Sequence, residues 1–185
     1  MFRNLSRHLR RRAGAVARFC LSRGGTTAVE FAFIAPPFFA LIIAIFQMTM
    51  FLFAQQALQT AAVSAGRLVM TGQVQNAGLT QAQFKTNDVC PLLSAMFTCS
   101  NVYVNVQMYN DFSSASTASP TLTYNTDGSV SNTWAYSLGS PGQVMVLQLV
   151  YQWPIISGPL GSVVKNLGNG TAEMMGITAF RVEPY

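Results

Sequence analysis

Residues 23–39 read RGGTTAVEFAFIAPPFF, and this stretch joins a basic leader to an apolar segment that extends to Ala54. Seven arginines precede Gly24, whereas residues 31–54 contain no charged side chain. A helix of that length spans ~36 Å at ~1.5 Å per residue, which exceeds the ~30 Å hydrocarbon core of a bilayer. The sequence therefore predicts a membrane-spanning helix that begins soon after the leader.

The composition supports a membrane protein with one small domain. Of the 185 residues, 50% are hydrophobic and 9% are charged, compared with about a quarter charged in ordinary soluble domains. From Thr26 onward there are four basic and six acidic residues, a net charge of 4 − 6 = −2. Because the positive charge is confined to the leader, and not spread over a folded face, we predict no nucleic-acid partner.

The length of the apolar segment and the position of the arginines predict the topology. A secretory signal peptide has an apolar core of only ~7–15 residues, so this longer segment is expected to stay in the membrane. Arginines on its N-terminal side hold that end in the cytoplasm. The chain is therefore predicted to cross the membrane once, with the residues after about position 55 on the opposite side.

The helical pattern continues beyond the apolar segment. Apolar residues keep helical spacing from Leu58 to Val69, and Gly72 is a typical C-terminal stop, so the helix is predicted to end near residue 71. Within it, Ala57, Ala61 and Ala65 form a stripe of small residues. Such a stripe either admits a second helix at close range or is ordinary helix filler.

After the long helix, the pattern predicts a second helix and then a sheet. Thr80 and Gln83 match a capping box at the start of the second helix, which Pro91 limits or kinks. Three segments then have the alternation or the composition of strands: residues 101–109, 143–153 and 171–184. The second of these is apolar on both faces, which is typical of a central strand.

The region between the first two strands, residues 111–142, is rich in Ser, Thr, Asn and Gly. Asp127 and Gly128 favour a type I′ turn, so the region is predicted to be either a small hairpin or a surface loop. The predicted fold class is α+β, with a long N-terminal helix and a small antiparallel sheet. We divide it into a leader (1–25), a helix (26–72) and an exported α+β head (73–185).

The cysteines and the single histidine indicate which covalent bonds and catalytic groups the exported part can have. Cys90 and Cys99 lie in the exported part, where oxidising conditions favour a disulfide; the alternative is two buried thiols that never meet. The only histidine, His8, lies in the leader, so no exported Ser-His or Cys-His pair can form, and metal-ligand spacing is absent. We therefore predict no enzymatic activity, no catalytic residue, no metal and no cofactor.

Glu30 stands at the edge of the apolar segment, where an ionisable group is costly and usually functional, unless it reaches water at the interface. A cut between Gly25 and Thr26 would remove the arginines and create an α-amino group with a pKa of about 8. That amine would lie four residues from Glu30, on one face of a helix. Two adjacent glycines suit a peptidase that binds an extended backbone. We therefore predict processing at Gly25–Thr26 and a role for Glu30 in assembly.

These residues carry a resemblance to a known family. A basic leader, Gly25, then Glu30 and Phe31 at the start of a long apolar helix, resembles the processing site of type IV prepilins, in the version of the tight-adherence (Flp) branch. The stretches GTTAVEFAFIAPPFFALIIAIFQ and AVSAGRLVMTGQ, the two cysteines, GSPGQVMVLQLVYQWP and the closing FRVEP are similar to the TadE family. TadF-like pseudopilins share the same opening.

The resemblance implies a function, a location and a set of partners. It implies cleavage by a prepilin peptidase, residence in the bacterial inner membrane with an exported C-terminal domain, and a minor-pilin role in an Flp pilus for adhesion or biofilm formation. The implied partners are the major Flp pilin, a sister TadF-like pseudopilin and the pilus assembly platform. The alternative is an uncleaved single-pass anchor whose exported head binds a ligand or partner.

Overall fold

The computed structural model describes residues 25–93, 96–126, 129–154 and 171–185. Within these ranges a long helix precedes short helical turns and a three-stranded antiparallel sheet, which confirms the predicted α+β class. The α-helices are α1 (Thr26–Met70), α2 (Gln73–Asn76) and α3 (Gln81–Phe84), and the strands are β1 (Val102–Tyr109), β2 (Val144–Pro154) and β3 (Thr171–Arg181).

The chain divides into two compact units between Ile45 and Phe46, which is inside α1. The second unit, Phe46–Tyr185, holds the sheet together with the C-terminal part of α1. The core around the sheet includes residues of α1 from Ala54 onward.

The sheet has the order β1-β2-β3, with both pairs antiparallel. Leu149 of β2 lies opposite Val104 of β1 and Gly176 of β3. Residues 144–151 of β2 are buried throughout, since this strand has neighbours on both sides and cover on both faces. The prediction of a central strand is therefore confirmed.

The C-terminal part of α1 packs against β3 at backbone distance. A Cβ atom built on Gly176 would lie 2.5 Å from the carbonyl oxygen of Leu58, and one on Gly66 would lie 2.5 Å from Cγ2 of Thr178. Larger side chains at these two glycines would therefore force the helix away from the sheet. The buried residues of α1 are Ala54, Leu58, Ala61, Ala62, Ala65, Gly66 and Val69.

This packing decides between the two interpretations of the alanine stripe. Ala61 and Ala65 are fully or almost fully buried in the core that the chain builds with its own strands, and Ala57 is half-buried. The stripe therefore lets a sheet approach the helix, and its two inner members are not available to a second helix.

The outer edge of β3 is closed by glutamine side chains of α1. Gln59 donates from Nε2 to the Ile177 carbonyl at 2.7 Å and accepts from the Ile177 amide at 2.9 Å. Gln55, one turn earlier, donates to the Met175 carbonyl at 2.8 Å. An edge strand leaves such groups unpaired and open to other strands. Here the helix satisfies them, a role that the sequence pattern did not reveal.

The two predicted helix boundaries are confirmed. Gly72 follows α1 with φ of 75°, the left-handed region that favours glycine at a helix end. At α3, Thr80 Oγ1 accepts from the Gln83 amide and the Gln83 side chain accepts from the Thr80 amide, which completes the capping box. The helix then continues as a π-helical turn, Lys85–Val89, and a 3₁₀ turn, Cys90–Leu92, that contains Pro91.

The predicted alternation of β1 holds for Val102, Val104 and Val106, which are buried. It fails at Met108, which is 43% exposed because the buried core on this strand ends at Val106. Asn105 was expected on the polar face, yet it is buried as well.

A short pairing exists in the 111–142 region. Tyr124 and Val130 form an antiparallel bridge, and the Asn125 amide donates to the Ser129 carbonyl at 2.8 Å. The two predicted turn residues, 127 and 128, lie outside the described residues. The Tyr124–Val130 bridge and the Asn125–Ser129 hydrogen bond are the pairs expected on either side of a hairpin turn.

We expect Gln59→Leu to destabilise the second unit by about 1–3 kcal/mol, because it leaves the amide and the carbonyl of Ile177 without partners in a partly buried position. The measurement is urea denaturation of the detergent-solubilised full chain, followed by circular dichroism. Gln56→Leu is the matched control, since Gln56 is an exposed glutamine of the same helix. Equal stability of the two variants would contradict the edge-closing role.

Candidate processing site and exported surface

The predicted processing site lies where α1 begins. Thr26 is the first residue of the helix, and Gly25 precedes it on an exposed part of the chain. A Cβ atom built on Gly25 would have no heavy atom within 4 Å, and Gly25 does not have a positive φ. Packing in the described part of the chain therefore does not require glycine at this position. The leader, with its arginines, His8 and Cys20, lies outside the described residues.

Glu30 lies on the first turns of α1, among exposed apolar side chains. Val29 is 56% exposed, Phe31 is 67% exposed and Phe33 is 78% exposed, and Glu30 itself is exposed. Aromatic and branched side chains continue this exposed apolar surface along the helix to Phe53. A surface of this kind indicates that lipid or other apolar helices cover it.

Among the described residues, α1 is the one helix that is long and apolar enough to cross a membrane. Its most apolar window of 18 residues has none of its residues buried. This is compatible with a single-pass membrane anchor near the N-terminus. The orientation in the membrane stays a prediction from the positions of the arginines.

Pro36 and Pro37 are inside α1, which continues through both. Because proline has no amide hydrogen, the carbonyls of Ala32 and Phe33 cannot accept the usual helical hydrogen bond from these positions. In a membrane helix, neighbouring helices or local adjustments can satisfy such carbonyls.

The cysteine pair is bonded in the structure. Cys90 and Cys99 form a disulfide with their Cα atoms 5.6 Å apart, which closes the short segment between α3 and β1. Phe97 in this segment packs edge-to-face on Tyr151 at 5.0 Å and on Trp153 at 6.1 Å between ring centroids. The disulfide therefore holds the segment over aromatic side chains of β2.

Two buried amide side chains organise the opposite face of the sheet. Asn105 of β1 donates from Nδ2 to Gln148 Oε1 at 2.8 Å, and Gln148 in turn donates to the Ala118 carbonyl at 3.0 Å. Asn105 Oδ1 accepts from the Ala135 amide at 3.0 Å. Both side chains are 5% exposed. They attach the polar region 111–142 to the sheet at two places.

Only a weak signal for this arrangement is present in the sequence. Asn105 and Gln148 lie in mainly apolar strands that also contain Gln107 and Gln152, and only the register shows that they are directly opposite each other. Two central polar residues in facing strands are a usable signal, because buried amides are retained where each can satisfy another.

The ionisable groups of the second unit show where charge is disfavoured. Burial raises the pKa of Asp88, whose buried Oδ2 atom has no hydrogen-bond partner. Burial, with Asp88 nearby, raises the pKa of Tyr136 to about 12, and the Tyr136 hydroxyl donates to the Leu79 carbonyl at 3.0 Å. Tyr136 is therefore a neutral structural donor. Within the described ranges, no group of three His, Cys, Asp or Glu residues is placed to hold a metal ion.

The fold and the exposed apolar helix define the class: an α+β protein whose long N-terminal helix can serve as a membrane anchor. Residues 25–77 match the family model described as TadE-like protein. Over these residues the chain matches the TadE-like family, which agrees with the resemblance seen in the sequence. The match points to a protein associated with a Tad pilus system. No curated protein and no solved structure matches the chain.

The boundaries of the match agree with those of the structure at both ends. The match begins at Gly25, one residue before α1, and it ends at residue 77, just after α2. The sheet, the disulfide and the 111–142 region lie outside it. The family match therefore covers α1 with its N-terminal boundary and α2. It provides no information about the function of the sheet, which has to be inferred from the surface of the sheet itself.

We expect the Cys90→Ser, Cys99→Ser double variant to lose about 2–3 kcal/mol of unfolding free energy, since the two cysteines close a loop with a sequence separation of 9. Urea denaturation of the purified full chain measures this loss. A reducing agent should bring the wild-type protein to the stability of the double variant and leave the double variant unchanged. A wild-type protein insensitive to reductant would show that the thiols are unpaired.

Proposed function

We propose that the protein is a pseudopilin, or minor pilin, of a Tad/Flp-type pilus. A prepilin peptidase cleaves it between Gly25 and Thr26, and the processed chain takes part in pilus assembly for adhesion and biofilm formation. The observation that carries this proposal is that the family match and the helix begin together at a glycine that the packing does not require. A glycine without a packing role suits recognition by a peptidase that binds extended backbone.

The helix following the cut has the properties of an assembly element. In the first unit, up to Ile45, this helix exposes large apolar side chains, and Glu30 is the only charged residue among them. Cleavage would place a protonated α-amino group at Thr26, about 6 Å along the helix axis from Glu30. In a low-dielectric environment the two charges attract strongly, within one chain or between neighbours. We propose that this pairing sets the depth at which helices pack side by side.

The proposed location and partners follow from the same features. The processed chain resides in the bacterial inner membrane, with the N-terminus on the cytoplasmic side and the sheet domain exported. Its partners are the prepilin peptidase, the major Flp pilin, a TadF-like pseudopilin and the assembly platform. We propose a structural role without catalysis, since the only histidine of the sequence, His8, precedes the cleavage point.

The cleavage proposal is tested by the mass of the chain recovered from membranes of its native host. Wild-type protein is expected to begin at Thr26. Gly25→Leu should keep residues 1–25, because a bulky side chain cannot occupy the position next to the cut. Gly24→Ala is the control and should be processed, since it changes the neighbouring glycine by one methyl group. A pilus-associated wild-type chain that still begins with Met1 would overturn the proposal.

The role of Glu30 is tested separately from cleavage. We expect Glu30→Gln to be processed normally, because the Gly25–Thr26 bond is unchanged, and to co-purify with the major pilin at about one tenth of the wild-type level, the factor that ~1.4 kcal/mol of pairing represents. Glu30→Asp keeps the charge and should restore part of the association. Equal recovery of the major pilin with wild type and Glu30→Gln would contradict the charge pairing.

A further inference from the structure

The second unit has an open cavity of about 230 Å³ between α3, β1 and the 111–142 region. One wall is a pair of stacked rings, Tyr103 of β1 and Trp134, with centroids 5.1 Å apart and planes 22° apart. Gln81 and Lys85 line the cavity from the helical side, and Val102 and Val104 of β1 complete the lining. This cavity is outside the residues that match the family.

Lys85 supplies an uncompensated positive charge to this cavity. Its ammonium group donates to the Ser100 carbonyl at 3.2 Å, which uses one of its three N–H donors. Among the described residues no carboxylate lies within ion-pair distance, and burial lowers the pKa of Lys85. A half-buried ammonium without a counter-ion is costly, and a ligand carboxylate would remove that cost.

Gln81 supplies an acceptor at the same place. Its Nε2 atom is used by the Val104 carbonyl at 2.7 Å, which fixes the amide and leaves Oε1 as an acceptor. The cavity therefore presents a cation, a hydrogen-bond acceptor and a flat aromatic wall. A sugar ring that bears a carboxylate offers the matching groups: an anion, hydroxyl donors and an apolar C–H face.

The size of the cavity limits the ligand to about one ring. Pockets for drug-sized ligands have volumes of ~300–1,000 Å³, and this one is smaller and open to solvent. A polymer that passes over the opening can still place one residue in it. We propose that this cavity binds a uronic acid residue of an acidic polysaccharide, with the carboxylate on Lys85, a hydroxyl on Gln81 and the ring against Trp134 and Tyr103.

This proposal does not rest on cleavage or on pilus assembly. The groups that form the site are contained in residues 81–134 of the second unit, so an unprocessed chain carries the same cavity. A failure to bind the sugar would leave the processing proposal intact, and a failure of processing would leave the binding proposal intact.

The experiment uses the tryptophan in the site as its reporter. The sequence has two tryptophans, so Trp153→Phe leaves Trp134 as the only one. The detergent-solubilised full chain with this substitution is titrated with trigalacturonic acid while Trp134 fluorescence is followed. We expect a saturable change in the millimolar range, the weak affinity typical of a small open site. Absence of any saturable change overturns the proposal.

Variants and control ligands identify the groups responsible. Lys85→Met keeps the length of the side chain without its charge and should weaken binding about tenfold or more, whereas Arg67→Met removes an exposed charge of α1 and should change nothing. Tyr103→Leu should also weaken binding, and unchanged thermal melting shows that each variant is folded.

A neutral trisaccharide and inorganic phosphate should not bind. Equal binding of phosphate would show a simple anion site, and equal binding of the neutral sugar would exclude a role for Lys85; either result overturns the proposal.

Discussion

The second unit depends on the close approach of α1 to β3. Gly176 faces the backbone of Leu58 at a distance that leaves no space for a side chain, and Gly66 lies against the side-chain methyl group of Thr178. At this separation the helix excludes water from one face of the sheet, and Gln55 and Gln59 reach the backbone of the edge strand. A larger residue at either glycine would weaken the apolar packing and the edge hydrogen bonds together.

This constraint explains the change in the residues of α1 along its length. Up to Phe53 the large apolar side chains are mostly exposed, as suits a helix surrounded by lipid or by other helices. From Ala54 onward the buried positions are mostly alanine and glycine, with Leu58 and Val69 as the larger members. The exposed apolar side chains give the first part of the helix a large contact area with lipid or with other helices. The small buried residues let the second part approach the sheet closely. Glu30 belongs to the first part, where its charge is available to partners.

The sequence was sufficient for the elements and their order, but not for the contacts between them. Apolar run length and periodicity predicted α1, its end at Gly72, the capping box at Thr80 and β2 as the central strand, because each depends on local sequence. The alanine stripe stayed ambiguous, since a helix and a sheet both require small residues at close range. Alternation over residues 101–109 places Met108 on the face of Val102, Val104 and Val106, yet Met108 is exposed, because alternation indicates a face of a strand and not where the core ends.

The candidate site residues divide in the same way. Gly25, Glu30 and the cysteine pair are visible in the sequence because their spacing along the chain carries the argument. The amide pair Asn105–Gln148 could be recognised only from the register of β1 and β2. The cavity at Lys85 could be recognised only from the pairing of residues 135–137 with β1 at Val106. No local pattern around Lys85 or Trp134 indicates that they face each other.

The polar face of the sheet then accounts for the position of the cavity. The Ala135 amide donates to Asn105 Oδ1, and the Val106 amide donates to the Ala135 carbonyl at 2.9 Å. These two bonds hold the residue after Trp134 against β1, so the indole ring is placed next to Tyr103. Strand residues that alternation assigns to solvent thus shape the exposed surface, while α1 and the apolar face of the sheet hold the domain together.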